Sequence, residues 1–202
     1  MKVIKFTSAY GYCNSYLVAK EDSNEGILID CASSDLLDKA DKLGINVKAV
    51  LLTHGHFDHV SGCRAFAENY ASFYCSEKEK PLIFSKEYLG IFGGVRVPRF
   101  EINRELQDGE EFELYGLNIK VMSTPGHTAG SVCYIIDNCI FTGDTLFKGS
   151  IGRTDLPTGN FAEIIKSLKN ILSLSGDYTV YCGHGEDTTL EEERKNNPYV
   201  RL

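Results

Sequence analysis

Short apolar runs broken by turn-formers set the rhythm of the chain. "KVIKF", "SYLVA" and "GILID" open it, separated by Gly11, Asn14, Asp22, Asn24 and Gly26, and this pattern predicts a small meander of strands. The period then changes. In "DLLDKADKLG" Leu36, Leu37, Ala40 and Leu43 recur at i, i+3/i+4 spacing, which predicts a helix capped by Ser33 or Ser34 and stopped at Gly44. "VKAVLLT" is almost continuously apolar and of strand length, as expected of a central strand covered on both faces. "SGCRAFAENY" reads as helix and "SFYCS" as strand. Residues 77 to 105 read as a long irregular segment, in which Pro81, Gly90, Gly93, Gly94 and Pro98 punctuate apolar Phe84, Tyr88, Ile91, Phe92 and Val95. A lid or pocket wall and a plain packed connection account for that segment equally well.

The second half repeats the scheme. "EEFEL" and "LNIKVMST" read as strands, "SVCYIID" and "CIFTG" as a hairpin over Asn138, "FAEIIKSLKNILSL" as a helix and "YTVYC" as a last strand; the tail "LEEERKNNPYVR" reads as a short helix and a closing segment. Two strand-then-helix halves predict the α/β class, as a four-layer αβ/βα sandwich of two mixed β-sheets flanked by helices. No linker or low-complexity tract divides the chain, so residues 1–202 are expected to form one domain.

Composition narrows the function. The net charge is −7 and Lys and Arg nowhere cluster, so the electrostatic footprint of a nucleic-acid binder is missing. No stretch approaches the ~20 apolar residues of a membrane span, and "MKVIKFTSAY" lacks the apolar segment of a signal peptide, which together predict a cytoplasmic protein. The seven cysteines include no C-x-x-C pair, which argues against a disulfide framework and a zinc knuckle alike. Most are expected to be small buried hydrophobes. Cys31, beside Asp30, is the one placed to do more. The oligomeric state is left open.

The five histidines change the picture. "THGHFDHVSG" packs His54, His56 and His59 around Asp58 directly after the central strand. Residues two apart on an extended segment point the same way, so His54, His56 and Asp58 can converge, and His59 joins them as the chain turns into a helix. With five histidines in the chain, H-x-H-x-x-H arises by accident in roughly 0.003 of such sequences, so accident is a poor account. "STPGHTAGS" places His127 in a turn after a strand, "FTGDTLF" ends a strand at Asp144 with Gly143 permitting close backbone approach, and "YCGHGED" places His184 in a Gly-flanked loop. Five imidazoles and two carboxylates exceed the needs of one tetrahedral ion, which implies two divalent metals. His54, His56 and His127 would hold one, Asp58, His59 and His184 the other, and Asp144 would bridge. Such a pair activates water near neutral pH, and the chemistry implied is hydrolysis. Zinc is the first expectation, with iron and manganese as alternatives. Asp30, at the end of "GILID", is a candidate to orient a ligand histidine, a buried turn-capping carboxylate being the competing account.

H-x-H-x-D-H, then a His after T-P-G, then G-D, then G-H, in this order, resembles the metallo-β-lactamase superfamily over nearly the whole chain. Within it "GDTLFKGSIGRTDLP" is similar to the glyoxalase II-type (hydroxyacylglutathione) hydrolases, which cleave the thioester of S-lactoylglutathione and related acylglutathiones. The resemblance implies a small-molecule thioester substrate and a catalytic part for Asp58, which would orient the nucleophile. It also sets Arg153 where those enzymes carry a basic residue that helps bind glutathione, with Lys148 and Thr154 as weaker candidates. An arginine fork suits a carboxylate, and a surface or structural role is an equal account.

The chain departs from the larger glyoxalase II enzymes in two ways. Only 18 residues follow His184, so their C-terminal helical glutathione-binding domain is expected to be absent, and "HGEDTT" offers Gly185 and Glu186 where they carry an aromatic residue. The chain looks more like the compact bacterial glyoxalase II-like hydrolases. Three alternatives stand beside this reading. A mononuclear iron persulfide dioxygenase would use His54, His127 and Asp144 with glutathione persulfide, a β-lactamase or lactonase would use the same metals, and a non-catalytic metal-binding module would use none of the chemistry.

Overall fold

Two six-stranded mixed sheets lie face to face with helices on both outer sides, the four-layer α/β arrangement expected from the sequence. A computed structural model describes residues 1–9, 12–85 and 100–201. The first sheet runs in sequence order through β1 (Lys2–Thr7), β2 (Asn14–Ala19), β3 (Glu25–Ile29), β4 (Asn46–Leu51), β5 (Ser72–Ser76) and β6 (Arg104–Leu106). Its first three strands are antiparallel neighbours and β3 to β6 are parallel. The parallel connections carry α1 (Leu36–Lys42), then α2 (Phe57–Val60) and α3 (Cys63–Glu68), then α4 (Lys80–Ile83).

The second sheet contains β7 (Glu111–Leu114), β8 (Leu117–Ser123), β9 (Val132–Ile136), β10 (Cys139–Gly143), β13 (Thr179–Cys182) and β14 (Thr188–Thr189), with β13 lying parallel to β10. A small hairpin of β11 (Leu146–Phe147) and β12 (Ser150–Ile151) follows Asp144. Helix α5 (Phe161–Leu172) and helix α6 (Leu190–Asn196) complete the second half.

Strand alternation decides the layers. The register pairs Tyr16 with Ile29 and Val18 with Ile27, and this face meets Ile119, Val121, Tyr134 and Phe141 of the other sheet. Leu17 and Leu28 point the opposite way, against Leu36 and Ala40 of α1 and Cys63 and Phe66 of α3. On the far side Ile135, Ile140 and Val180 receive Ile164, Leu168 and Ile171 of α5. Strand β9 is buried on both faces and is apolar throughout rather than alternating, and the Ala49–Leu51 end of β4 is buried in the same way.

Polar contacts lock the two sheets together where the motifs lie. Val132 N–H donates to the Thr53 carbonyl at 2.9 Å, Asn14 N–H to that of Gly183 at 2.7 Å, and the Tyr16 hydroxyl to that of Cys182 at 2.6 Å.

Several local expectations need correction. Neither Ser33 nor Ser34 caps α1; Asp35 occupies that place without a side-chain cap and pairs instead with Lys39 one turn on. Residues 77–105 are not irregular throughout. A one-turn 3₁₀ helix at Glu77–Glu79 is capped by the Ser76 side chain, and it leads into α4, where Pro81 sits in the first turn at no cost in hydrogen bonds. Residues 86–99, with Tyr88, Gly90, Ile91, Phe92, Gly93, Gly94, Val95 and Pro98, lie outside the described residues, as does Gly11. The strands β6, β11, β12 and β14 add to those that the sequence pattern predicts.

Candidate metal centre

The ends of β4, β8, β10 and β13 deliver all seven anticipated donors to one place. His54 and His56 lie on the extended stretch after β4, and His56 is the residue at which the chain turns into α2, which carries Asp58 and His59. His127 sits in the turn between β8 and β9, Asp144 directly after β10, and His184 after β13, where it bridges to Cys13. Glycine makes the crowding feasible. A Cβ at Gly183 would stand 2.2 Å from Asp144 Oδ1, and one at Gly143, whose φ is +48°, would meet Thr53 Oγ1 at 2.4 Å.

Hydrogen bonds fix which nitrogen each imidazole presents. The Thr53 hydroxyl donates its one proton to Asp30 Oδ2 at 2.7 Å, so its contact with His54 Nδ1 at 3.0 Å makes that nitrogen the N–H donor. His59 Nδ1 donates to Asp30 Oδ2 at 2.7 Å, His127 Nδ1 to the Arg153 carbonyl at 2.7 Å and His184 Nδ1 to the Tyr12 carbonyl at 3.1 Å. All four rings therefore turn Nε2 toward the centre. His56 is turned the other way, with Nδ1 2.8 Å from His127 Nε2. Two lone pairs at that distance repel unless a proton or a cation lies between them.

The donors form two sets with Asp144 between them. His54, His56 and His127 make a buried trio, while His59 and His184 face Asp58 and Asp144. His59 Nε2 is 3.3 Å from Asp144 Oδ1, His184 Nε2 is 3.3 Å from Asp58 Oδ2 and 3.4 Å from Asp144 Oδ2, and His127 Nε2 is 3.4 Å from that same Oδ2. Ligand atoms ~2.0–2.1 Å from an ion at tetrahedral angles stand about 3.3–3.4 Å apart. His54 Nε2, His59 Nε2 and Asp144 Oδ1 are fully buried without a hydrogen-bond partner. Orphaned buried donors at this spacing fit divalent cations, which would relieve an otherwise costly burial.

The electrostatics agree. Burial holds His54 well below the ordinary imidazole range, lowers His56 to about 3 and depresses His127. Burial also disfavours the charged forms of His59 and His184, but nearby groups overrule it. Cys13, Asp30, Asp144 and Asp58 raise His59, and hydrogen bonds to Asp144 and Asp58 bring His184 to about 10. Burial would raise Asp58 and Asp144, yet His59 leads the groups that hold both below the usual carboxylate range. Protons on the second set thus occupy the role a cation would fill. Asp58 and His184 are the donors solvent reaches, with side chains 27% and 28% exposed, so the centre opens on their side.

A family model described as the metallo-beta-lactamase superfamily matches residues 9–184. The chain belongs to that superfamily. It is 33% identical to the hydroxyacylglutathione hydrolase GloC of Haemophilus influenzae, over 99% of this chain and 97% of that one. Among solved structures it resembles the BLEG-1 B3 metallo-beta-lactamase, with a TM-score of 0.93 and 27% identity over the whole of both chains. It also resembles TTHA1623 in a di-iron-bound form, with a TM-score of 0.87 and 33% identity over 98% of this chain and 100% of that one. The superfamily binds divalent metals, and the histidine-rich cluster of this chain could hold such ions.

Seen against the superfamily, the remaining candidates fall into place differently. The Arg153 guanidinium makes two 2.7 Å hydrogen bonds to Asp155 at the surface, while its carbonyl orients His127. Gly152 beside it admits no side chain, because a Cβ would lie 1.8 Å from the Asp144 carbonyl. The "GRTD" tract therefore wraps the centre through its backbone. Lys148 is paired with Glu186 on the exposed rim. Asp30 binds His59, the Thr53 hydroxyl and the Thr53 N–H, the last at 2.8 Å, from a left-handed backbone position with φ 56°. Cys13 rather than Cys31 has its sulfur beside Asp58 and His59, and burial pushes its thiol up to about 12. Among the described residues no helix is long and apolar enough to cross a membrane.

Proposed function

We propose that the chain, acting as one domain, is a binuclear metal-dependent hydrolase that cleaves S-lactoylglutathione or a related acyl thioester. The observation that carries this reading is Asp144, whose carboxylate stands within 3.4 Å of donors from both histidine sets. His54, His56 and His127 would hold one metal and Asp58, His59 and His184 the other, zinc first, with iron or manganese as alternatives. Metals held by such donors supply Lewis acidity and a water nucleophile at neutral pH.

The protein's own groups account for the rest. Asp58, on the open side, would accept a hydrogen bond from the water nucleophile and orient it. A thiolate leaving group, with a pKa of about 8.5, departs without a strong general acid. That suits a centre in which all five histidines already belong to the cluster. An amide nitrogen would need protonation, which ranks β-lactam hydrolysis second, favoured though it is by the likeness to BLEG-1. Arg153 and Lys148 are exposed, and an anionic substrate group could exchange with Asp155 or Glu186, because solvent screens exposed pairs of this kind and leaves them weak.

The test is release of free thiol from S-lactoylglutathione by metal-loaded protein, run beside a chromogenic β-lactam and an oxygen electrode with glutathione persulfide. Thioester turnover that ceases on chelation and returns with metal is expected. β-Lactam turnover alone, or oxygen uptake by protein holding one iron, would overturn the reading.

A further inference from the structure

Glu79 has no part in the donor set, yet it is 1% exposed and its carboxylate is surrounded by the loops that carry the histidine trio. Its Oε2 accepts from the Gly55 N–H at 2.6 Å, and Gly55 is the residue between His54 and His56. Its Oε1 accepts from the Thr128 hydroxyl at 2.7 Å and the Gly130 N–H at 2.8 Å, in the turn that begins with His127. One side chain thus joins the two loops, which are otherwise far apart in sequence and come from different sheets.

The surroundings are shaped for this contact. A Cβ at Gly55 would stand 2.9 Å from Glu79 Oε2, and one at Gly130 would stand 2.7 Å from Oε1, so both loops use glycine where the carboxylate approaches. Glu79 is itself fixed at the end of the 3₁₀ helix that Ser76 caps. All three partners can donate, so an ionised carboxylate satisfies the whole arrangement. Burial raises the Glu79 pKa, and the hydrogen bonds from Thr128, Gly55 and Gly130 oppose that rise.

We infer that Glu79 is a positioning residue for the metal held by His54, His56 and His127: it sets the separation of the two loops and leaves the Asp58, His59 and His184 set alone. The inference rests on the metal centre proposed above. It makes a selective demand that a general contribution to stability would not. An amide cannot replace the carboxylate, because whichever way Gln is turned, its NH₂ faces the N–H of Gly55 or that of Gly130. Glu79→Gln therefore keeps the volume and disconnects one loop.

The experiment is zinc competition against a chromophoric chelator, which yields stepwise dissociation constants, on wild type, Glu79→Gln and Thr128→Val. Circular dichroism checks folding. A cap variant of α5, Asn160→Ala, serves as a destabilised control that removes no side chain of the donor set and keeps the 2.8 Å hydrogen bond from the residue 160 N–H to the Gly126 carbonyl. Glu79→Gln should weaken one step by about 10–100-fold, the range for a group that orients ligands, and leave the other nearly unchanged. Thr128→Val, which removes one donor, should act on the same step more weakly and remains informative if Glu79→Gln folds poorly. In an Asp58→Ala background, Glu79→Gln should weaken the metal that is retained. Constants unchanged from wild type, or both steps weakened in parallel, would overturn the inference. Wild type binding a single zinc would instead overturn the two-metal reading, and the role of Glu79 would then be decided by whether its variant weakens that one ion.

Discussion

Asp58 and Asp144 share a charge environment but differ in access: Asp144 lies between the two donor sets, whereas Asp58 faces solvent beside His184. Asp58→Ala should therefore leave the fold and the histidine trio intact while stripping the second metal. Its kcat for thioester hydrolysis should fall on the order of 10²–10³-fold, the scale for losing a group that organises developing charge; wild-type kcat would exclude a part for Asp58. Arg153→Ala should raise KM several-fold for a carboxylate-bearing thioester and little for a neutral one, since its carbonyl contact with His127 survives the change. Equal effects on both substrates would remove the guanidinium from binding. The donors are legible in the sequence because His and Asp at these spacings serve few purposes besides holding metal. Glu79, Thr53 and the Tyr12 carbonyl are not, because their roles depend on partners brought close only by the fold: the Gly55 N–H for Glu79, the Asp30 carboxylate for Thr53 and the His184 ring for Tyr12.

At the scale of elements, periodicity foretells what is long enough to have a period. The amphipathic run after Asn160 forms α5, with Ile164, Leu168 and Ile171 buried and the Asn160 side chain accepting from Glu163 N–H at 3.1 Å. Asn160→Ala should lower unfolding free energy by ~1 kcal/mol in urea titrations, with metal content and kcat unchanged. No loss of stability would deny the cap a role, and a loss of metal would mean that α5 supports the centre. Two- and three-residue strands such as β6, β11, β12 and β14 carry no readable alternation; they form because a neighbouring strand offers its edge. The start of α1 escapes the sequence for a similar reason. Ser33 and Ser34 are good cap residues by type, but the turn begins after Asp35, whose side chain goes to Lys39.

Over the whole molecule, folding concentrates titratable groups whose shifts oppose one another. In metal-free protein, neutral His54, His56 and His127 cost stability as pH falls below 6.5, because the unfolded chain takes up protons there and the buried rings do not. His59 and His184 act in the opposite sense. Their stabilisation is complete below 6.5 and is lost as pH rises from 6.5 toward about 10 for His184. The depressed Asp58 and Asp144 contribute above the usual carboxylate range and lose that contribution only in acid. Metal-free Tm should accordingly peak near pH 6.5. Added metal should displace the proton on His184, so its stabilising increment should grow as pH rises from 6.5 toward about 10, and the raised His59 acts in the same sense. A metal-free Tm that climbs steadily to the alkaline end of that range would contradict this charge arrangement. The measurement that bears most directly on the centre is metal content per chain, by mass spectrometry of protein loaded with zinc and freed of excess. The account predicts two ions in wild type and one in Asp58→Ala; a single ion in wild type, or two in the variant, would contradict it.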